Sequence, residues 1–231
     1  MRLLLIASEP REFSGVPSRA PSAAVASLPV RWAREAHLAA GDSLLVANGA
    51  GAARAAAAAE ACAALWRPDA IVSTGYCGAV DPSLAIAQIV VATEVRGALA
   101  SYAAAQPAAS GAARRGPIQT IGHVAQSAAE KREWRATGAI AVEMEAAGVA
   151  GVASGLGLPV FCIKAVTDLA AEELKNDFNA ALRPDGRFAT ILLLGSAVRR
   201  PVSRIPELVR LNSRCRRASA ALGDFFVRIS L

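Results

Sequence analysis

Histidine is almost missing from this chain, and cysteine is sparse. His37 and His123 are the only two histidines in 231 residues, and the four cysteines, Cys62, Cys77, Cys162 and Cys215, show no CxxC or other close pairing. Metal sites are built from clustered side chains of these types, so no metal is expected. The thiols are expected instead as small buried hydrophobes in a reducing compartment. Aromatic residues make up only 5% of the chain, and no segment approaches the roughly 18 consecutive apolar residues needed to span a bilayer. The opening 2-RLLLIA-7 is too short, and too soon followed by Glu9, Arg11 and Glu12, to read as a signal peptide. A cytoplasmic protein is expected.

Acids are scarce in one place. Between Arg199 and Arg217, seven arginines stand against a single acid, Glu207, and this segment alone accounts for the net charge of +6. A basic stripe suits nucleic acid, an anionic membrane surface or a solvated helix face. Interleaved aromatics and nucleic-acid motifs are lacking, so no nucleic-acid partner is expected. The solvated face is preferred, with a peripheral membrane-surface contact through the Arg-rich tail as the alternative.

What is abundant is alanine and other small apolar residues, within a hydrophobic share of 54%. The length suits one domain, residues 1–231, with 199–231 as a basic helical tail. Short apolar runs predict buried strands at 3-LLLIA-7, 43-SLLVAN-48, 70-AIVST-74, 88-QIVVATEV-95, 118-IQTIG-122, 139-AIAVEM-144 and 159-PVFCIKAVT-167. Alanine-rich helices are predicted over 52–65 and 145–155, the second stopped by 155-GLGLP-159. Residues 100–117 read as a loop, the chain from Glu172 onward as helical, and 183-RPDGR-187 as a turn. Strands alternating with helices predict an α/β protein, a sheet with helices on both faces.

Ligands of such sheets collect at the carboxyl ends of strands. Three carboxylates, Glu12, Glu145 and Asp168, fall at predicted strand ends far apart in sequence, beside the loops 48-NGAG-51 and 74-TGYCGAV-80. Each alone is explained as a solvated loop acid, an N-cap or a helix-dipole partner. The strand–GxG–helix segment 44-LLVANGAGAAR-54 resembles a dinucleotide fingerprint. It lacks the acid that should end the next strand, where Ser73 and Thr74 stand, so a nicotinamide enzyme is not expected.

The run 139-AIAVEMEAAGVA-150 closely resembles the signature of the nucleoside phosphorylase and nucleosidase superfamily, in the form carried by methylthioadenosine/S-adenosylhomocysteine nucleosidases. The blocks 1-MRLLLIASEPREF-13, 68-PDAIVSTGYCGAVDPSLAIAQIVVATEV-95 and 163-IKAVTD-168 agree with it in order and spacing. The tail, with 183-RPDGRF-188, is similar, more loosely, to the branch of hopanoid-associated phosphorylases.

The resemblance implies a three-layer nucleoside-phosphorylase-type fold, with a central mixed, mostly parallel sheet flanked by helices. It implies Asp168 as the acid protonating the departing purine and Glu12 as the residue activating water. Glu145 would bind ribose hydroxyls, Met144 would pack on the ribose, and Tyr76, Cys77 and Gly78 would line the substrate site. Glu143 is given a supporting part, and 122-GHVAQ-126 falls near the base. A homo-oligomer is implied, with no cofactor, although phosphate would be co-substrate in a phosphorylase.

Where hexameric purine phosphorylases carry an Arg and a Ser for phosphate, this chain has Ser73 and Tyr76. Arg11 or Arg19 would have to substitute, so hydrolysis is favoured, with phosphorolysis, including cleavage of a lipid-linked adenosylhopane, as the alternative. A nucleoside-binding protein without catalysis is the reading of another class. An acid placed opposite a water activator argues against it.

Overall fold

The computed structural model describes residues 1–108, 112–189, 191, 195, 198 and 201–229. Nine strands form its sheet: β1 (Arg2–Ala7), β2 (Trp32–Leu38), β3 (Gly41–Ala47), β4 (Ala70–Ala79), β5 (Ile89–Arg96), β6 (Ser101–Ala103), β7 (Arg114–Thr120), β8 (Ala141–Glu143) and β9 (Val160–Asp168). The principal helices are α1 (Ala23–Ala26), α2 (Ala52–Trp66), α3 (Ala128–Ala136), α4 (Ala146–Gly155), α5 (Phe178–Ala181) and α6 (Pro201–Arg228). A single 3-10 turn, Pro10–Phe13, follows β1.

Alternation within the apolar strands builds the layers. Leu4 and Ile6 join Leu44 and Val46 in one core with residues of α2 and α4, whereas Leu3, Leu5 and Leu45 face the other way, toward Ala218, Leu222 and Phe226 of α6. Each of these leucines is wholly buried, worth about 1.5–3 kcal/mol relative to exposure. The expected three-layer α/β fold is therefore present, with a mixed sheet.

β1 lies parallel between β3 and β4, and β2 adds an antiparallel strand outside β3. Beyond β4 the sheet closes on itself. β4 pairs with β9, β9 with β5, β5 with β7, β7 with β8, and β8 returns to β4. Among the described residues, each strand of that ring has a paired neighbour on both sides. The carboxyl ends of β4 and β9 are thereby held side by side at one rim, where the short β8 runs antiparallel to the last residues of β4.

Several elements differ from expectation. β4 continues through 74-TGYCGA-79 as a strand, because β9 pairs with it along Ile71 to Gly78. The apolar run at 139–144 yields only β8, because the Glu143 side chain accepts the N–H groups of Glu145 and Ala146 and turns the chain. β2, 32-WAREAHL-38, carries the charges that suit an edge strand and so lacked an apolar run. α3 begins with a Ser127 N-cap whose Oγ accepts from Glu130 N–H at 3.1 Å.

The stretch 100–117 holds β6 and the start of β7, and residues 109–111 of it lie outside the described residues. After Glu172 the first helix is only the four-residue α5. The 183–187 turn is present, closed by bonds between the main chains of Arg183 and of Gly186 and Arg187. The basic tail is helical from Pro201, whereas Arg199 and Arg200 lie outside the described residues.

α2 and α4 touch where Gly148 lets the backbones meet: a Cβ there would sit 2.0 Å from the Ala52 carbonyl oxygen. Gly148→Ala should therefore destabilise the fold by about 1–3 kcal/mol despite alanine's better helix propensity. Urea denaturation checks this, and an unchanged midpoint would contradict the packing.

Candidate active site

The first carboxylate is positioned by its own turn. Glu12 closes a capping box: its Oε2 accepts from Ser8 N–H at 2.8 Å, Glu9 N–H at 2.9 Å and Ser8 Oγ at 3.1 Å. Its Oε1 accepts from Tyr76 N–H at 3.2 Å. The carboxylate lies flush on Gly75, whose φ of +112° and lack of Cβ permit the approach; a Cβ there would fall 2.8 Å from Oε1. Burial raises the Glu12 carboxyl above its ordinary value, opposed by these donors and by Lys164.

The second cluster explains two glutamates inside an apolar run. Lys164, wholly buried on β9, places its Nζ 2.9 Å from Glu143 Oε2 and 3.6 Å from Glu145 Oε2, and donates to the Thr74 carbonyl at 2.9 Å. Glu143 also accepts from Thr120 Oγ1, so its oxygens are occupied by protein. Those contacts tie Glu143 into the protein. Glu145 is more open: its Oε1 takes only Gly51 N–H, at 3.1 Å, among the bonds described. Burial raises its carboxyl to about 7 against the pull of Lys164, with Glu143 and Glu12 pushing the same way as burial.

The third carboxylate also has a buried lysine. Lys131 of α3 donates from Nζ to Asp168 Oδ2 at 2.5 Å and to the Leu169 carbonyl at 2.9 Å. Thr167 Oγ1 donates to Asp168 Oδ1 at 3.1 Å. The Lys131 side chain is wholly buried, while that of Asp168 keeps 13% of its surface exposed.

All seven residues singled out from the sequence line one cavity of about 540 Å³: Glu12, Tyr76, Cys77, Gly78, Met144, Glu145 and Asp168. Burial keeps the Cys77 thiol protonated by raising its pKa. The Tyr76 hydroxyl is paired with Ser219 Oγ at 2.7 Å, so the main-chain N–H of Tyr76 is what reaches Glu12. Arg11 also lines the cavity, held by Glu9 at 2.9 Å and lying over the Tyr76 ring. Arg19 is not part of the lining; it pairs with Glu35.

In the 122–126 segment, both main-chain groups of Val124 are taken by the Asn179 side chain. A base contact there would fall to its neighbours. Phe178 and Phe188 stack edge to face and, with Leu174, Leu208 and Leu211, form an apolar wall of the cavity.

Sequence reasoning missed both lysines. The signal was rarity: the chain has only three lysines, Lys131, Lys164 and Lys175. All the other Lys/Arg positions are arginine, so each lysine stands out as a compact point charge where arginine's planar fork was not used. The pattern 127-SAAE-130 was also an N-cap signature that would have placed Lys131 on a helix.

Three carboxylates, Glu12 and Glu145 buried and Asp168 partly exposed, thus meet in one cavity of a three-layer α/β fold. The phosphorylase superfamily model matches residues 35–115 and 112–194, and the chain belongs to that superfamily. Among solved structures, the chain resembles the 5′-methylthioadenosine/S-adenosylhomocysteine nucleosidase of S. pneumoniae with a transition-state inhibitor, at 18% identity over 98% of each chain and a TM-score of 0.65. It resembles the S-adenosylhomocysteine nucleosidase of Streptococcus pyogenes in complex with 5-methylthiotubericidin at 17% identity, over 100% of this chain and 98% of that one, with a TM-score of 0.66. The Neisseria meningitidis enzyme with methylthio-immucillin-A matches at 18% identity over 97% of each chain, with a TM-score of 0.62. No curated protein sequence matches the chain.

Lys164→Met should leave Glu143 and Glu145 uncompensated and cost about 3–5 kcal/mol, with part regained in a Lys164→Met, Glu143→Gln double variant. Urea midpoints of both variants check the coupling. A pH effect follows from Glu145. Its folded value of about 7 lies above the ordinary 4.5, so the stability it contributes is present below 4.5 and is lost as pH rises through about 7. Glu145→Gln removes that loss, and its stability relative to the parent should improve between pH near 5 and pH near 8. A gap moving the other way would contradict the assignment.

Proposed function

We propose that the protein cleaves the N-ribosidic bond of a purine nucleoside, adenine being the expected base, with water as acceptor. The observation that carries this is the meeting of Glu12, Glu145 and Asp168 in one cavity. N-ribosidic cleavage develops positive charge on the sugar and requires the base to leave neutral. Asp168 is the group that hands a proton to the purine and regains one from solvent, while Lys131, bonded to Oδ2, and Thr167, bonded to Oδ1, hold its carboxyl in place. Glu145, with room for further acceptors, takes hydroxyls of the ribose. Met144 packs beside it. Glu12 orients and deprotonates the water that attacks the anomeric carbon.

Hydrolysis is supported over phosphorolysis by the arginines. A phosphate dianion needs uncommitted donors, yet Arg11 is paired with Glu9 and Arg19 lies outside the cavity lining. The apolar wall of Leu174, Phe178, Phe188, Leu208 and Leu211 favours a second reading of the substrate. It suits a large apolar group on the 5′ carbon, such as the lipid of an adenosylhopane, as well as a small thioether. That reading carries phosphorolysis with it only if Arg11 is released from Glu9.

Base release from methylthioadenosine, adenosine and inosine, followed by chromatography with and without phosphate, tests the proposal. Free base and free sugar without phosphate support it; a strict phosphate requirement with sugar 1-phosphate formed overturns the choice of acceptor. Asp168→Asn and Glu12→Gln should each lower turnover by about 10²–10⁴-fold. A non-catalytic nucleoside-binding protein would show no turnover to lose.

A further inference from the structure

Apart from Val209, the exposed apolar stripe of α6 takes no part in the cavity lining. Glu207 points inward, accepting from Lys175 N–H, Asn176 N–H and Asn176 Nδ2, which leaves Asp224 as the exposed acid of the helix. On the opposite side, Val202, Ile205 and Val209 stand at i, i+3 and i+7 and are 91%, 43% and 65% exposed. Ile191 and Val198, just before the helix, are exposed as well. Five of the ten exposed large hydrophobic residues among those described thus fall between 191 and 209. Isolated surface valines are ordinary, but a stripe at helical spacing is not.

The same face becomes basic farther along. Arg216 continues the line of Val202 and Val209 at seven-residue spacing, and the neighbouring line at the same spacing holds Arg210, Arg217 and Asp224, all of them exposed. The stripe also reaches the cavity: Val209 is at once exposed on α6 and part of the cavity lining, beside Leu208, Leu211 and Asn212.

We propose that this face of α6 docks the protein on an anionic lipid surface, its valines and isoleucine entering the headgroup region and its arginines meeting the lipid charge, with the cavity mouth held against the membrane. Apolar residues on one line with arginines along the same face are the arrangement that binds an interface without spanning it. Charge complementarity selects this occupant over a second copy of the chain. A twofold pairing through this face would bring two arginine-rich helices together with only Asp224 of each as an exposed acid, whereas a phosphatidylglycerol surface supplies the missing anions. The inference stands independently of which bond the site cleaves.

Co-sedimentation of the full chain with vesicles tests it, using phosphatidylcholine alone and phosphatidylcholine mixed with phosphatidylglycerol. Partition should be on the order of tenfold stronger to the anionic vesicles and should weaken as salt is raised. Val202→Asp and the pair Arg216→Glu, Arg217→Glu, neither touching the cavity lining, should each abolish it while circular dichroism and the thermal midpoint stay unchanged. Absence of binding by the parent, or binding indifferent to both variants, would overturn the proposal. So would a concentration-dependent dimer that Val202→Asp dissociates in the absence of any vesicle binding, which would mark the face as a self-association surface.

Discussion

The Met-Glu side of the cavity depends on one buried cation, the Lys164 ammonium lodged between Glu143 and Glu145. Two carboxylates in an apolar interior repel each other and lose their water, costs of several kcal/mol per ion that only a well-bonded partner offsets. Lys164 supplies that partner from the middle of β9, and its remaining bond goes to the carbonyl of Thr74 on β4. The charge cluster therefore spans β4, β8 and β9, the strands whose ends make the rim. Glu143 absorbs most of the pairing through short contacts, and Glu145 keeps capacity for a ligand. The site is charged because the core beneath it has been made able to hold charge.

The closed ring of strands serves the same end. A sheet open at β8 would leave Glu143 at a frayed edge, free to be solvated and to drift from Lys164. Pairing β8 with both β4 and β7 fixes Val142 opposite Gly78 and Gln119, so the Met-Glu segment emerges from the sheet at a defined height. On the opposite layer, Ser219 of α6 bonds the Tyr76 hydroxyl at 2.7 Å and the Arg11 carbonyl at 2.8 Å. The turn that carries Glu12 is thus anchored from both sides, by β4 and by α6.

Much of this was legible in the sequence, and the reason differs by element. The central strands announced themselves because both faces are covered, and β1, β3 and β9 read as unbroken apolar runs. β2 hid because an edge strand alternates and carries charge, and α3 because its composition is polar apart from the capping pattern at Ser127. The cavity-lining residues were found through strand-end logic and a motif, which point to carboxylates. Neither names the counter-ions, because Lys131 and Lys164 approach from a helix and a strand that sequence order does not connect to Asp168 or Glu145. From Glu172 to Asp177 the chain is irregular where a helix is expected, since Asn179 and Gln126 fix this region by side-chain bonds to main chain rather than by any periodic pattern.

The scarcity of lysine has a practical side. Of the three primary amines on side chains, Lys131 and Lys164 are wholly buried and Lys175 is exposed. An amine-acylating reagent applied to the folded chain therefore meets one lysine besides the terminal amino group. The other two become acylable only when α3 lifts or β9 parts from its neighbours. Counting acyl groups by mass would then report whether both carboxylate clusters are intact, with no substrate in hand.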